Sequence, residues 1–161
     1  MAYTMDVNFL NPFIDGALQT LKVQCNVEAR PGKMFRKGTE KSDVRVDIAG
    51  VIGITSDAFK GSISIGFPAA TFLGIMGRML GEKYETITKD VEDGAGELLN
   101  IIFGAAKRVL NEKGYALQKA IPSVITGQGI EVHHITSAPT IVIPFETELG
   151  LFQIEIGIEP V

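Results

Sequence analysis

The sequence predicts an α/β fold of the α+β type, with two long helices packed on one side of a mainly antiparallel sheet. Apolar residues recur at helical spacing over two long segments, Asp6 to about Gln24 and about Thr88 to Lys113. Segments between and after these helices alternate apolar and polar residues, as strands do. The order of a helix followed by strands also occurs twice, which indicates two related halves around one sheet.

The length and composition are those of one globular domain, and we expect it to cover residues 1–161. The net charge of −4 argues against nucleic acid as the main partner, because binding a polyanion needs a basic surface. No apolar run approaches the roughly 20 residues that span a bilayer, and no basic residue precedes Lys22, so neither a membrane segment nor a signal peptide is predicted. Cys25 is the single cysteine, so no intrachain disulfide can form, and we expect a cytoplasmic protein.

The first helix contains an interruption at Asn11-Pro12. Either the helix begins there, with Asn11 as its N-cap and Pro12 at the first helical position, or it is kinked there. A shorter helix is predicted over Ala69–Leu80, and Gly81 ends it. The glycines of this shorter helix do not follow a phosphate-binding pattern, so we interpret them as small residues that permit close packing.

Strands are predicted on both sides of the long helix. Val44, Val46 and Ile48 alternate with polar residues, and the segment Ser62–Ile65 alternates in the same way. After the long helix the strand-like segments are Ala120–Thr126, Thr140–Thr147 and Leu151–Ile158. Glu148-Leu149-Gly150 is typical of the turn of a hairpin between the last two of these segments.

A weak internal repeat relates the two halves. Ser64-Ile65-Gly66 resembles Glu155-Ile156-Gly157, which lies 91 positions later (155 − 64), and the first helix matches the long helix at an offset of 89. At that offset Asn11 falls on Asn100 (100 − 11). The repeat predicts a duplicated half-domain, and therefore a pseudo-twofold arrangement of the two helices and their strands.

The long helix carries a narrow polar stripe. On a helical wheel of ~100° per residue, Asp93, Glu97, Asn100 and Gly104 fall within about 60° of one another, opposite an apolar face. The residues alone leave two interpretations open: a solvated face of an ordinary amphipathic helix, or a surface that another molecule contacts. Asn100 in mid-helix, Gly104 on the stripe and Gly96 beside it all lower helix stability, which favours the second interpretation.

The spacing Asp93-xxx-Glu97-xx-Asn100 resembles the (D/S)xxxExxN signature of the CheC/CheX/FliY chemotaxis phosphatases. The resemblance extends over nearly the whole chain, in the order and spacing of the CheX branch. The other stretches that carry it are Asn11-Pro12-Phe13, Gly50-Val51-Ile52-Gly53-Ile54, Lys60-Gly61-Ser62, Met79-Leu80-Gly81-Glu82, Gly96-Glu97-Leu98-Leu99-Asn100, Ala120-Ile121-Pro122 and Ile143-Pro144-Phe145-Glu146-Thr147.

This resemblance implies a CheC-like fold and hydrolysis of the aspartyl phosphate on a CheY-like response regulator. Asn100 would orient the attacking water through its side-chain amide, and Glu97 would pair with the regulator's lysine beside the phosphate. Asp93 would support the helix start or contact the partner. Independently of the resemblance, Gly96 and Gly104 are expected in the partner-binding surface, because glycine lets another surface approach the helix closely. No cofactor or metal is expected in this chain, and Mg²⁺ is expected in the receiver domain of the partner.

The resemblance further implies a homodimer formed through a sheet edge. Ser62–Phe67 and Leu151–Ile158 are long alternating segments, and an unpaired strand of this kind would need protection. Two other functions remain open on the same scaffold. One is a non-catalytic adaptor that binds phosphorylated receiver domains, and the other is a structural subunit of the flagellar switch.

A second active site is not expected on the first helix. At the offset of 89, Thr4, Asn8 and Asn11 fall on the three positions of the signature, so an asparagine replaces the glutamate. Pro12 follows directly, which also departs from the motif.

Other candidate residues carry weaker signals. His133 and His134 have no ligand-forming neighbours at metal-binding spacing, so we expect loop or surface residues. Cys25 has no catalytic companion, and neither Ser123 nor Ser137 lies in a nucleophile elbow. The basic stretch from Arg30 to Lys41 is either a lysine-protected edge hairpin or a surface that steers an acidic partner.

Overall fold

The computed structural model describes residues 7–119, 121–136 and 138–161 of the chain. These residues form three helices and eight strands. The helices are α1 (Val7–Cys25), α2 (Ala69–Leu80) and α3 (Lys89–Glu112). The strands are β1 (Ala29–Pro31), β2 (Phe35–Arg36), β3 (Ile48–Thr55), β4 (Phe59–Phe67), β5 (Gln118–Lys119), β6 (Ser123–Thr126), β7 (Ile141–Thr147) and β8 (Gly150–Pro160).

The strands form one sheet in which every pairing of these strands is antiparallel. Its order is β1-β7-β8-β4-β3-β5, and in addition β2 pairs with β7 and β6 pairs with β3. All three helices pack on one face, where α1 lies against α3, α2 against β8, and α3 against β3 and β6. The predicted α+β fold with long helices on one side of an antiparallel sheet is confirmed.

A pseudo-twofold axis passes through the centre of this sheet. Ser64 on β4 pairs with Glu155 on β8, and these two residues are equivalent in the repeat. Val51 pairs with Ser64 in the β3–β4 hairpin, and its equivalent Val142 pairs with Glu155 in the β7–β8 hairpin. The two hairpins therefore have the same register. The flanking strands are exchanged between the halves, because β1 and β2 pair with β7 while β5 and β6 pair with β3.

The helix layer obeys the same symmetry. Gly16 of α1 faces Ala105 of α3, its equivalent at the offset of 89, and a Cβ built on Gly16 would lie 3.6 Å from the Ala105 Cβ. A twofold axis that passes between two crossing helices brings equivalent residues into contact, as is seen for Gly16 and Ala105. The predicted duplication is therefore present in both layers.

Alternation along the strands separates the two faces of the sheet. On β4, Ile63, Ile65 and Phe67 belong to the main core beneath the helices. The intervening residues face the opposite side, which we call the outer face. The outer face is covered by two segments without helix or long strand, residues 37–47 and 127–136, named the first and second cover segments. They bond to each other, since the Ile130 N–H donates to the Val46 carbonyl at 2.7 Å.

One local prediction was wrong, and one pair of alternatives is narrowed. Val44 and Val46 precede β3 and are not in a strand; they lie in the first cover segment and form a small second core with Ala49 and Val132. Their alternating burial imitates a strand because an irregular segment that crosses a sheet also buries every second side chain. For the first helix, the bounds Val7–Cys25 are close to the predicted segment, and the alternative of a start at Asn11 is excluded, because α1 continues through Pro12. Asp6 lies outside the described residues.

The two segments that were considered as edge strands for a dimer do not lie at an edge of the sheet. The segment Ser62–Phe67 lies in β4 and Leu151–Ile158 lies in β8, which are the two central strands and are paired on both sides. Their long alternation reflects a sheet covered on both faces rather than an exposed edge. Among the described residues no helix is long and apolar enough to cross a membrane.

Candidate functional site

The candidate site lies on α3, whose two faces differ as the sequence predicts. Thr88 occupies the N-cap, and Asp90 and Glu92 lie in the first turn, where negative charge is favourable for the helix dipole. The apolar face is buried in the main core through Val91, Ala95, Leu98, Leu99, Ile102, Phe103, Ala106 and Leu110. The opposite face therefore remains available at the surface.

The signature residues share this opposite face. Asp93 and Glu97 are exposed, and Asn100 is half-buried. Glu97 and Asn100 are three positions apart, so they lie side by side, roughly 4.5 Å apart along the helix axis, and Asp93 lies about one turn before Glu97. The site therefore presents one carboxylate that can accept from a cation and one neutral amide that can both donate and accept.

The two glycines of the stripe have different surroundings. Gly104 is exposed, and a Cβ built there would meet nothing within 4 Å. Gly96 is buried, and its Cβ would lie 3.4 Å from the Val124 Cγ2 and 3.7 Å from Pro122. Gly104 thus leaves open space beside Asn100, whereas Gly96 packs against the segment at β6. The sequence interpretation missed Pro122 and Val124 as the flank of the site, because only the fold brings them beside α3.

Close backbone contacts hold α3 in place beneath the site. Gly50 on β3 approaches the helix so closely that its Cβ would lie 2.9 Å from the Ala95 carbonyl oxygen. A Cβ on Gly16 of α1 would lie 3.1 Å from the carbonyl oxygen of Ile102. These contacts place the helix backbone directly on its neighbours, so the signature residues project from a firmly packed support.

Lys107 and Asn111 continue the polar stripe toward the C-terminal end of α3, where Asn111 has a structural role. The Asn111 side-chain oxygen accepts a hydrogen bond from the Leu117 N–H at 2.7 Å, which fixes the chain that leaves α3. Lys107 is half-buried on the same face. The part of the stripe available to a partner therefore runs from Asp93 to Lys107.

The equivalent positions on α1 differ from those on α3. Asn8 and Asn11 are exposed, and Thr4 lies outside the described residues. Because residue 12 is a proline without an N–H, the Asn8 carbonyl lacks its helical donor, and Lys113 Nζ lies 3.4 Å from it instead. The prediction that this helix has no second active site remains a prediction.

The two histidines are separated by the fold. His133 is exposed, whereas the side chain of His134 is fully buried, with its Nδ1 2.6 Å from the Ser62 Oγ. The expectation of a loop is correct for both residues, but that of a surface residue is wrong for His134. Burial, followed by the positive charge of Lys37, lowers the pKa of His134 to about 4. In the described part of the chain, no group of three or more His, Cys, Asp or Glu side chains could hold a metal ion.

The structure also places Cys25, Ser123 and the start of the basic stretch Arg30–Lys41. Cys25 is buried, and burial raises the pKa of its thiol to about 11, so it is a packed thiol and not a reactive thiolate. Ser123 is exposed on β6, and Ser137 lies outside the described residues. The stretch Arg30–Lys41 begins on β1, at the end of the sheet opposite to the strands that carry α3.

Comparison with known proteins identifies the family. The family model described as chemotaxis phosphatase CheX matches residues 48–146, which include all of α3. The chain belongs to the CheX family. The family is therefore one of chemotaxis phosphatases, in agreement with the signature on α3.

Solved structures of CheX and CheC-like proteins have the same fold. A CheC-like superfamily protein from Shewanella sp. PV-4 is 40% identical, with a TM-score of 0.89 over 96% of this chain and 99% of that chain. CheX from Vibrio vulnificus is 36% identical, with a TM-score of 0.88 over 94% and 99% of the two chains. A CheX–CheY–BeF3–Mg²⁺ complex from Borrelia burgdorferi is 21% identical, with a TM-score of 0.77 over 96% and 99%, and shares the fold. Comparison with curated protein sequences gave no match.

Proposed function

We propose that this CheX family member hydrolyses the aspartyl phosphate of a CheY-like response regulator. The observation that carries the proposal is the signature on α3: exposed Glu97 and half-buried Asn100 lie side by side on a firmly packed helix. Membership of the phosphatase family supports the reaction. A related CheX was crystallised with CheY, BeF3 and Mg²⁺, which supports a CheY-like partner for this chain.

In the proposed reaction, water attacks the phosphorus in line with the bond to the regulator's aspartate. The P–O bond to the aspartyl carboxylate breaks, and the products are the free aspartate and inorganic phosphate, which takes up the water's proton. The Asn100 amide would accept a hydrogen bond from this water and hold it in line. An acyl phosphate is already reactive, and positioning alone can be worth ~7–11 kcal/mol at best, so no strong base is needed.

The other members of the stripe would hold the regulator. Glu97 would pair with the regulator's lysine beside the phosphate, and a neutral Asn100 would add no repulsion toward the phosphate oxygens. Asp93, one turn earlier, would contact the regulator or support the start of the helix. Gly104 would admit the regulator's surface close to the α3 backbone, because no side chain fills that space. Mg²⁺ would be bound by the regulator.

The test is the decay of a phosphorylated CheY-like regulator with and without the protein. We expect faster decay with wild type and no acceleration with Asn100→Ala. The matched control is Asn11→Ala, which makes the same change at the equivalent exposed position of α1 and should keep full activity. Equal loss in both variants would contradict both the assignment of Asn100 and the absence of a second site.

The alternative function is a non-catalytic adaptor for phosphorylated receiver domains. An adaptor would bind the phosphorylated regulator without changing its decay, and it would not need the Asn100 amide. The intact pair of Glu97 and Asn100 favours the enzyme. Binding measured beside the decay assay separates the two functions.

We also propose that the protein forms a homodimer through the edge at β6. The opposite edge, at β1 and β2, carries Pro31 and several basic side chains, which block pairing between sheets. Near β6, Ile121 is 89% exposed and Ile125 is 44% exposed, and β6 itself carries no charged side chain. Light scattering should give a dimer for wild type and a monomer for Ile125→Lys. A wild-type monomer at micromolar concentration would overturn this arrangement.

A further inference from the structure

The two cover segments meet the sheet at a cluster of buried polar side chains, which lies at the pseudo-twofold axis of the outer face. Its members are Lys37, Ser62, Ser64, His134, Gln153 and Glu155. Such groups are costly to bury unless they satisfy one another, so the cluster is a place where a change of one charge has a large effect. The proposed function does not use any of these residues.

His134 attaches the second cover segment to the sheet. Its Nδ1 lies 2.6 Å from the Ser62 Oγ, and its Nε2 lies 3.4 Å from the Ser64 Oγ. Gly157 on β8 leaves room for the ring, since a Cβ there would lie 2.8 Å from the His134 Cβ. The imidazole is thus inserted between the segment and the two central strands, with its side chain fully buried.

Lys37 attaches the first cover segment to the same point. Its Nζ lies 2.8 Å from the Glu155 Oε1 and also donates to the Val132 carbonyl in the second cover segment. The Glu155 side chain is 5% exposed, and its other oxygen accepts from the Gln153 Nε2 at 3.2 Å. One ammonium group therefore joins both cover segments to one carboxylate of the sheet.

The charges around His134 balance only while its ring is neutral. Lys37 and Glu155 form one cation and one anion, and Ser62 and Ser64 are neutral. His133, the adjacent residue of the same segment, is exposed. Protonation would place a second cation 3.9 Å from the Glu155 Oε1, in competition with Lys37 for the same carboxylate. A buried cation without its own partner is strongly unfavourable.

We propose that His134 is a proton-sensitive latch: protonation of its ring detaches the second cover segment and, through Lys37, loosens the first cover segment as well. The opposite face of the sheet, which carries the helices and the polar stripe of α3, stays folded when the latch opens. The lowered pKa of His134 supports the latch, because a ring released into water regains an ordinary value near 6.5 and takes up a proton that the closed form excludes.

The test is hydrogen exchange of the full chain at pH 7.5 and pH 5.0, corrected for the intrinsic exchange rates. Between folded and released pKa values of about 4 and 6.5, the population of the open form should rise by about 30-fold. We expect this rise in peptides from both cover segments and less than a twofold change in peptides from α3. The phosphorylated regulator is absent from this experiment, so its result is independent of the proposed function.

Two single variants provide the controls. His134→Gln cannot titrate and should abolish the pH dependence, whereas His133→Gln changes the adjacent exposed histidine and should preserve it. If His134→Gln does not fold, the wild-type and His133→Gln profiles still decide the question. Exchange in the cover segments that does not change with pH, or that rises equally in α3, would overturn the latch. Loss of the effect in His133→Gln would overturn the assignment to His134.

Discussion

The carboxylate of Asp47 accepts a hydrogen bond at 2.9 Å from the N–H of Ala69, the first residue of α2. It also accepts from the Gly129 N–H at 3.0 Å and from Arg45. Pro68, at the N-cap of α2, makes no side-chain cap bond, so a residue distant in sequence caps this helix. Asp47 thereby links the first cover segment, the second cover segment and the helix layer.

We predict that Asp47→Ala lowers the free energy of unfolding by about 1–2 kcal/mol, since it removes a helix cap and leaves N–H groups without an acceptor. Urea denaturation would measure the loss. Asp43→Ala is the matched control, because Asp43 is exposed in the same segment and should give almost no change. Equal effects of the two substitutions would show that Asp47 has no special role.

The contribution of Asp47 should depend on pH. Burial of the carboxyl opposes its ionisation, but the hydrogen bonds from Gly129 and Ala69 and the contact with Arg45 outweigh burial and hold the pKa of Asp47 below its ordinary value of 3.8. A carboxyl with a lowered pKa in the folded state stabilises the protein above the unfolded pKa and loses this effect as the pH falls through the folded pKa. The difference in the free energy of unfolding between wild type and Asp47→Ala should therefore become smaller below about pH 4.

Gly104→Ala should stabilise the protein and at the same time weaken its binding of the regulator. The position is open and helical, so alanine should raise the free energy of unfolding by about 0.5–1 kcal/mol. The added methyl group should weaken binding of the regulator and raise its KM in the decay assay. The same substitution at Gly94 should instead destabilise the protein, because its Cβ would collide with the Met76 Sδ. A Gly104→Ala protein with unchanged KM would show that the regulator does not approach this position.

Glu97→Gln should weaken binding of the phosphorylated regulator by about tenfold, since it removes one charge of a pair across the interface. The dependence of binding on salt concentration should decrease together with the affinity. Glu112→Gln removes an exposed carboxylate at the far end of the same helix and should have neither effect. If the two variants behaved alike, Glu97 would not be the residue that pairs with the regulator's lysine.

The basic stretch should not steer the regulator to α3. Lys33 is exposed near β1, and α3 lies on β3 and β6 at the other end of the sheet. We expect Lys33→Glu to leave the decay rate and its salt dependence unchanged. A large fall in the association rate of Lys33→Glu at low salt would restore the steering interpretation. Lys37 is unsuitable for this test, because it holds the buried Glu155.

Local patterns in the sequence predicted the elements that depend on local physics. The bounds of α2 match the prediction Ala69–Leu80, because Gly81 adopts a φ of 74° that ends the helix. The bounds of α3 and the division of its faces follow from the spacing of apolar residues. The strands β7 and β8 were predicted within a residue or two, and their hairpin turn is where the pattern placed it.

Features that depend on distant contacts could not be predicted in this way. The residues next to His134 in the sequence are typical of a surface loop. Only the fold places His134 beside Ser62, which is 72 positions away. Val44 and Val46 alternate like strand residues, but they lie outside the strands, and the Val46 carbonyl accepts from Ile130 of the second cover segment. Gly96 suggested an open surface, whereas Pro122 and Val124 fill the space beside it. The roles of Glu97, Asn100 and Asp93 remain predictions that the decay assay can test.

The exchange of flanking strands has a consequence for how the molecule assembles. Neither repeat can complete its own portion of the sheet, because the short strands of each repeat pair with the hairpin of the other. In addition, α3 of the second repeat packs on β3 of the first. The chain therefore has the connectivity of a domain-swapped pair fused into one polypeptide. A cut between α2 and α3 should give two pieces that are unfolded apart and fold only when mixed. The surface that carries Asn100 would exist only in the reassembled complex.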